Sequence, residues 1–111
     1  MTTIRMDWDT LILTAEGHAG GGEPGKDVVC AGISALTMAL VNQLENEDDT
    51  GSGYRMDERK GMIMITARPK DPEVRRRVRD YFRVIMTGLQ GWEKAFPRNI
   101  KTEEVNEDGT D

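Results

Sequence analysis

Residues 17–36 read GHAGGGEPGKDVVCAGISAL, and this stretch decides how the rest of the chain is interpreted. It holds the only histidine, His18, and the only cysteine, Cys30. A histidine and a cysteine on either side of a loop, just before a helix-forming run, are typical of a nucleophilic Cys/His pair. The competing interpretation is a structural cysteine with an incidental histidine. The loop between them, predicted to fold over a bound peptide backbone, contains Gly20, Gly21, Gly22 and Gly25.

A helix is predicted directly after this loop, from Asp27 to Leu44. Asp27 is a favourable N-cap, and apolar residues recur behind it at spacings of three and four. With that cap, Cys30 is the third helical residue, where unpaired backbone N–H groups and the helix dipole stabilise a thiolate. Ser34 lies one turn further on, within reach of the sulfur or of a substrate carbonyl; its alternative is a bond to its own backbone. Gly32 is predicted to mark a close-packing site.

Two β-hairpins flank this helix in the sequence. Thr2 to Met6 and Thr10 to Glu16 alternate apolar and polar residues across a short polar connection, which predicts the first hairpin. Tyr54 to Asp57 and Met62 to Ala67 alternate in the same way around a glycine-containing turn, which predicts the second. If the second strand keeps its alternation, His18 emerges where that strand ends and the loop begins.

A second helix is predicted from the Asp71-Pro72-Glu73 signal almost to Pro97. A capping aspartate, a proline at the first helical position and an acid in the first turn begin it. Asn99 to Val105 is expected to add a last strand. Together these elements predict an α/β (α+β) fold with a mixed sheet of about four to five strands and two helices, in the order β-β-α-β-β-α-(β). Residues 1–105 form a single domain in this prediction, and residues 106–111 form a flexible acidic tail.

The composition narrows the class of protein. One cysteine cannot form an internal disulfide, and one histidine with one cysteine is a poor zinc ligand set, so we expect no metal and no cofactor. No run of eighteen consecutive apolar residues and no secretory signal appears, which predicts a cytoplasmic protein without membrane contact. The chain has 111 residues, 37% of them hydrophobic, which allows one modest core in a domain expected to gain from dimerising.

The charge is negative overall but unevenly distributed. A formal net charge of -5 argues against direct nucleic-acid binding as the main role. Arginines nevertheless collect between Arg75 and Arg83, and the usual meaning of such a cluster is a solvated helix face paired with nearby acids. Contact with RNA or with an acidic peptide is the alternative.

The segments GHAG at residues 17–20 and GKDVVCAGISA at residues 25–35 closely resemble the signature of the ribosomal-processing cysteine protease family, Prp. The order of predicted elements is similar as well. The resemblance implies a homodimeric α/β cysteine endopeptidase that acts through His18 and Cys30, with Asp27 and Ser34 as candidates for support of the pair. Family members often carry a bulkier residue in the part of the loop where three glycines run together here.

The same resemblance implies a peptide substrate. Known members remove a short N-terminal extension from a ribosomal large-subunit protein, number twenty-seven, and phage-borne members are thought to process phage structural proteins. The main rival hypothesis is a noncatalytic dimeric α/β module that binds ribosome or phage assembly components through the Arg75–Arg83 face. A thiol-dependent acyl transferase or a redox sensor is less favoured, because no second cysteine is present to resolve an oxidised thiol.

Overall fold

The computed structural model describes residues 1–17 and 27–107. The predicted fold class and order of elements are confirmed, and the observed boundaries differ from the predicted ones by at most two residues. The elements are β1 (Thr2–Asp7), β2 (Ile12–Glu16), α1 (Asp27–Glu45), β3 (Gly53–Asp57), β4 (Met62–Thr66), α2 (Pro72–Ala95) and β5 (Ile100–Val105).

All five strands form one sheet in the order β3-β4-β2-β1-β5. Neighbouring strands are antiparallel except for β1 and β5, which run parallel, so the expected last strand is present at the edge beside β1. Ile4 of β1 pairs with Ala15 of β2, which pairs with Ile63 of β4, and all three side chains are buried. Because side chains alternate between the faces of a strand, these residues define the face of the sheet that belongs to the core.

The two helices pack against each other at a glycine of α1. A Cβ atom built on Gly32 would lie only 2.2 Å from Cζ2 of Trp92 in α2, so a larger residue cannot occupy this position without displacing the ring. The predicted close-packing role of Gly32 is therefore confirmed. From α2, the core receives the buried residues Val78, Phe82, Ile85, Met86 and Leu89.

The start of α2 follows its predicted signal. Asp71 is the N-cap, and its carboxylate accepts a 2.8 Å hydrogen bond from the backbone N–H of Glu73. Pro72 occupies the first helical position, where its missing N–H costs nothing. After β5, Asn106 of the predicted tail donates a 3.1 Å hydrogen bond to Asp7.

Within the described part of the chain, α1 alone is long and apolar enough to cross a membrane by length and composition: Val28–Glu45 has a mean hydropathy of 1.4. A core helix of a folded domain meets the same criteria. Val29, Ile33 and Leu40 of α1 are buried in the same core as the sheet. This packing accounts for part of the apolar character of α1, since 33% of the Val28–Glu45 segment is buried.

Candidate active site

Cys30 lies in the opening turn of α1. The helix begins at Asp27, so Asp27 takes the first helical position rather than the predicted cap, and Cys30 is the fourth helical residue rather than the third. Cys30 is a free cysteine and its side chain is half-buried. Near the N-terminus of a helix, the unpaired N–H groups and the helix dipole favour a negative charge. The predicted placement of Cys30 near the start of the helix is observed, and its role as a thiolate stays a prediction.

A cleft of about 390 Å³ opens beside Cys30. This volume lies in the range of clefts that bind small molecules or short peptide segments. Its walls come from the first turns of α1, from the ends of β1 and β2, and from the β3–β4 hairpin. The α1 wall consists of Cys30, Ile33, Ser34, Thr37 and Met38, and the hairpin wall of Met56, Asp57, Glu58, Gly61, Met62 and Ile63.

Ser34 lies on the same wall of the cleft as Cys30, one turn further along α1. The Ser34 side chain is exposed, and its hydroxyl has no hydrogen-bond partner among the residues that the structure describes. Thr37, in contrast, donates a 2.9 Å bond to the carbonyl of Ile33. The backbone bond considered for Ser34 is therefore not observed within the described residues, and Ser34 lines the cleft.

Gly17 closes the cleft at the end of β2. Its N–H donates a 3.0 Å bond to the Gly61 carbonyl, and its own carbonyl accepts a 3.2 Å bond from the Thr2 hydroxyl. Its φ is +104°, and a Cβ atom here would stand 2.4 Å from the Met1 carbonyl oxygen. Only glycine fits these two requirements. The residue that precedes His18 in the sequence is therefore a fixed part of the cleft wall.

Most of the other predicted site residues lie outside the described part of the chain. The side chain of Asp27 is not described, and its supporting role stays a prediction. Among residues 1–17 and 28–107, no group of three or more His, Cys, Asp or Glu side chains is placed to hold a metal ion. The pairing with Cys30 and the loop over the substrate likewise stay predictions, because they depend on His18, Gly20, Gly21, Gly22 and Gly25.

The hairpin wall of the cleft was not predicted from the sequence. Met56 and Met62 lie on either side of the β3–β4 turn, and Met56 remains 59% exposed. Asp57 begins that turn, and its carboxylate accepts bonds from the N–H groups of Arg59 and Lys60 at 3.0 and 3.2 Å. The alternating pattern predicted the hairpin itself, but its position opposite Cys30 depends on the order of the strands in the sheet.

Comparison with known proteins was made at the level of family, sequence and structure. The family model described as cysteine protease Prp matches residues 1–101. Over 42 residues, the chain is 48% identical to the ribosomal processing cysteine protease Prp of Bacillus subtilis. That segment covers 36% of this chain and 38% of the relative, so it spans well under half the length of the curated relative.

Solved structures share the fold over almost the whole chain. A Prp protease of S. aureus in complex with a covalently linked product peptide is similar with a TM-score of 0.77 at 23% identity. The similarity covers 94% of this chain and 99% of that one. A protein of Streptococcus mutans is similar with a TM-score of 0.73 at 30% identity, over 93% of this chain and 90% of that one.

Proposed function

This chain belongs to the cysteine protease Prp family, and on that premise we propose that it is a cysteine endopeptidase. The observation that carries the proposal is the position of Cys30, half-buried in the opening turn of α1 and on the wall of a cleft of about 390 Å³. A nucleophilic thiolate needs stabilisation of its charge together with access for the substrate, and this position offers both.

In the proposed mechanism, His18 takes the proton of Cys30, and the sulfur attacks the carbonyl carbon of the scissile peptide bond. The carbonyl π electrons move to oxygen and form a tetrahedral oxyanion. When the oxyanion collapses, the C–N bond breaks, and His18 returns the proton to the leaving amine. Water, deprotonated by His18, then attacks the thioester carbonyl and forms a second tetrahedral intermediate. When this collapses, the C–S bond breaks, His18 returns its proton to the sulfur, and the product acid loses its own proton to solvent to give the new carboxylate.

Backbone groups at the start of α1 support the oxyanion in this proposal. The N–H groups of the opening turn, near Val29 and Cys30, are the proposed donors, because they lie beside the sulfur and the helix dipole adds a favourable field. Ser34 and Asp27 are proposed to assist, Ser34 by a hydrogen bond at the cleft and Asp27 by orienting His18. Gly17 supports this arrangement, because it lines the same cleft as Cys30 and directly precedes His18.

The proposed substrate is a peptide segment near a protein N-terminus. We propose either the short N-terminal extension of ribosomal large-subunit protein twenty-seven or a site in a phage structural protein. Two observations on relatives support a peptide substrate: the B. subtilis relative is a ribosomal processing protease, and S. aureus Prp has been solved with a substrate peptide. We propose that the protein acts in the cytoplasm, as a homodimer, without a metal or cofactor.

Mass spectrometry of candidate substrates tests this function. Synthetic peptides that span the extension of the ribosomal protein, and peptides from phage structural proteins, are incubated with the wild-type protein and with Cys30→Ala and His18→Ala. We expect one peptide set to be cleaved at a single bond by the wild type, and both variants to lose about 10³-fold or more in rate. Ser34→Ala should lose less, on the order of tenfold, because it assists the reaction without forming the covalent bond.

A Cys30→Ala protein that still cleaves its peptide would refute the covalent mechanism. Cleavage that requires Cys30 but not His18 would refute the proposed pair while leaving the nucleophile in place. Cleavage of the phage peptides alone would decide between the two substrates.

A further inference from the structure

A second groove, of about 600 Å³, lies far from Cys30, along the first half of α2. Arg75, Arg79 and Arg83 follow one another at intervals of four residues, so they share one face of the helix with steps of about 6 Å along its axis. This groove is called the arginine groove below. Its lining residues are Trp8, Pro72, Arg75, Arg76, Arg79, Asp80 and Arg83.

Most arginines of this groove have no acidic partner among the residues that the structure describes. Arg75 donates a 2.7 Å bond to the Asp9 carbonyl, and Arg79 donates a 2.9 Å bond to the Trp8 carbonyl, so both bind neutral oxygens. Arg76 has no hydrogen bond or ion pair with any residue in the described ranges. In those same ranges, Arg83 is the one lining arginine with carboxylate partners, Glu104 at 3.2 Å and Glu107 at 4.0 Å. Within the described ranges, Arg75, Arg76 and Arg79 therefore have no carboxylate partner, although Asp80 also lines the groove.

The side chains of the groove are already held in position without a ligand. The guanidinium of Arg83 lies 4.1 Å from the ring centroid of Trp8, and that of Arg79 lies 5.4 Å from it. Trp8 itself is fully buried and donates a 2.8 Å bond from Nε1 to Glu104. Because a guanidinium carries five N–H donors in a planar fork, one bond to a carbonyl leaves the other donors available to an anion.

We propose that the arginine groove binds the phosphodiester backbone of single-stranded RNA. Planar guanidinium groups bind phosphate oxygens two at a time, and a row of them fits a row of phosphates. Peptide ligands, even acidic ones, are held mainly by apolar anchors or by strand addition. Among the described residues the groove offers no such anchor, because Trp8 is covered by arginines and Pro72 is the only other apolar residue in the described lining. Contacts of this kind position a nucleic acid without reading its bases.

RNA bound in this groove leaves the cleft free. Thr2 lines the cleft at the start of β1, and Trp8 directly follows the last residue of that six-residue strand. A strand of this length spans about 20 Å, which separates the two sites. The choice of RNA rather than DNA rests on the proposed ribosomal substrate, because ribosomal proteins assemble with RNA. Binding at the groove would then hold the protease near its substrate.

The test compares two single arginine reversals by fluorescence anisotropy with a fluorescein-labelled single-stranded RNA of about 20 nucleotides. Arg76→Glu reverses a charge in the groove without removing an intramolecular contact. Arg98→Glu makes the same change in net charge at an exposed position beyond the other end of the sheet, just before β5. We expect Arg76→Glu to weaken RNA binding about tenfold and Arg98→Glu less than about twofold. For the wild type, the logarithm of the affinity should fall with the logarithm of the salt concentration with a slope of about −2 to −3.

Three results would overturn the inference: no saturable RNA binding at low salt, equal losses in the two variants, or tighter binding of a polyglutamate peptide than of the RNA. Tighter binding of a DNA strand of the same sequence would overturn the choice of RNA. Peptide hydrolysis, measured in parallel, should be unchanged in Arg76→Glu. A protein that cleaves its peptide but ignores RNA refutes only this inference, and one that binds RNA but cleaves nothing refutes only the proposed function.

Discussion

The two ends of the sheet are built in opposite ways. At the cleft end, where Gly17 and Cys30 lie, mostly apolar and small side chains, together with Asp57 and Glu58, surround an open space, and the hydrogen bonds of Gly17 fix the backbone. At the arginine end, where Trp8 and the first half of α2 lie, charged side chains close over a buried tryptophan. The two ends therefore differ in how their key residue is surrounded: Cys30 is half-buried and lines the cleft, whereas Trp8 is fully buried beneath charged side chains.

The largest effect on stability is expected at Trp8, at the arginine end. Trp8→Ala removes a fully buried ring together with its bond to Glu104 and the surface under Arg79 and Arg83. We expect the free energy of unfolding to fall by about 3–5 kcal/mol, measured by urea denaturation. Trp8→Phe keeps most of the ring and should lose about 1–2 kcal/mol, chiefly from the lost hydrogen bond. If Trp8→Ala cost less than about 1 kcal/mol, the arginine end would not be the stabilising one.

The second-largest effect on stability is expected at Gly32, in the helix that forms one wall of the cleft. Gly32→Ala forces a Cβ atom to within 2.2 Å of the Trp92 ring, and the helices must separate to accept it. We expect a loss of about 1–3 kcal/mol despite the better helix propensity of alanine. Gly91→Ala is the matched control, because a Cβ there meets no atom within 4 Å, and it should stabilise the protein by about 0.5–1 kcal/mol. Equal effects of the two changes would show that the α1–α2 contact does not depend on Gly32.

Local patterns in the sequence predicted the elements of both ends. Alternation predicted the hairpins, and the Asp71-Pro72 signal predicted the start of α2, because each depends on neighbours in the chain. The placement of Cys30 in the first turn of α1 followed from the same local reasoning.

What the sequence did not predict comes from long-range contacts. The order β3-β4-β2-β1-β5 brings Met56 and Met62 to the cleft, and no local pattern encodes that order. The arginines were predicted as a solvated face paired with acids. Arg77 and Arg83 do pair with Glu47 and Glu104, but Arg75 and Arg79 bind main-chain carbonyls of the β1–β2 turn. Helical spacing places these side chains on one face, but it does not show which part of the chain lies opposite.

The contribution of Glu47 to the stability of the arginine end should depend on pH. Glu47, just after α1, accepts hydrogen bonds from Tyr81, Arg77 and Gln43, which lower its pKa from 4.5 to about 2. A carboxylate with a lowered pKa stabilises the fold above its unfolded pKa and loses that contribution as the pH falls through the folded value. The difference in unfolding free energy between the wild type and Glu47→Gln should therefore be constant above about pH 5 and shrink between pH 4.5 and about 2.

The matched change for Glu47 is Tyr81→Phe, which removes the largest of these influences on the pKa and leaves the ion pair with Arg77 at 2.8 Å. It should reduce the dependence on pH without abolishing it. A difference between wild type and Glu47→Gln that is the same at pH 3 and at pH 7 would show that the hydrogen bonds to Glu47 do not form in solution.

The smallest effect on stability is expected at Cys30, the proposed nucleophile. Cys30→Ala deletes one half-exposed sulfur atom, keeps the Cβ atom and improves helix propensity, so the free energy of unfolding should change by less than about 1 kcal/mol. Urea denaturation at neutral pH measures it, with the slope of the transition as a check that the folded state is unchanged. A loss above about 2 kcal/mol would mean that the sulfur is packed in the core, and a thiol held in that way would be a structural residue rather than a nucleophile. If Cys30→Ala leaves the free energy of unfolding almost unchanged but abolishes peptide cleavage, Cys30 serves the reaction at the cleft end and not the stability of the fold.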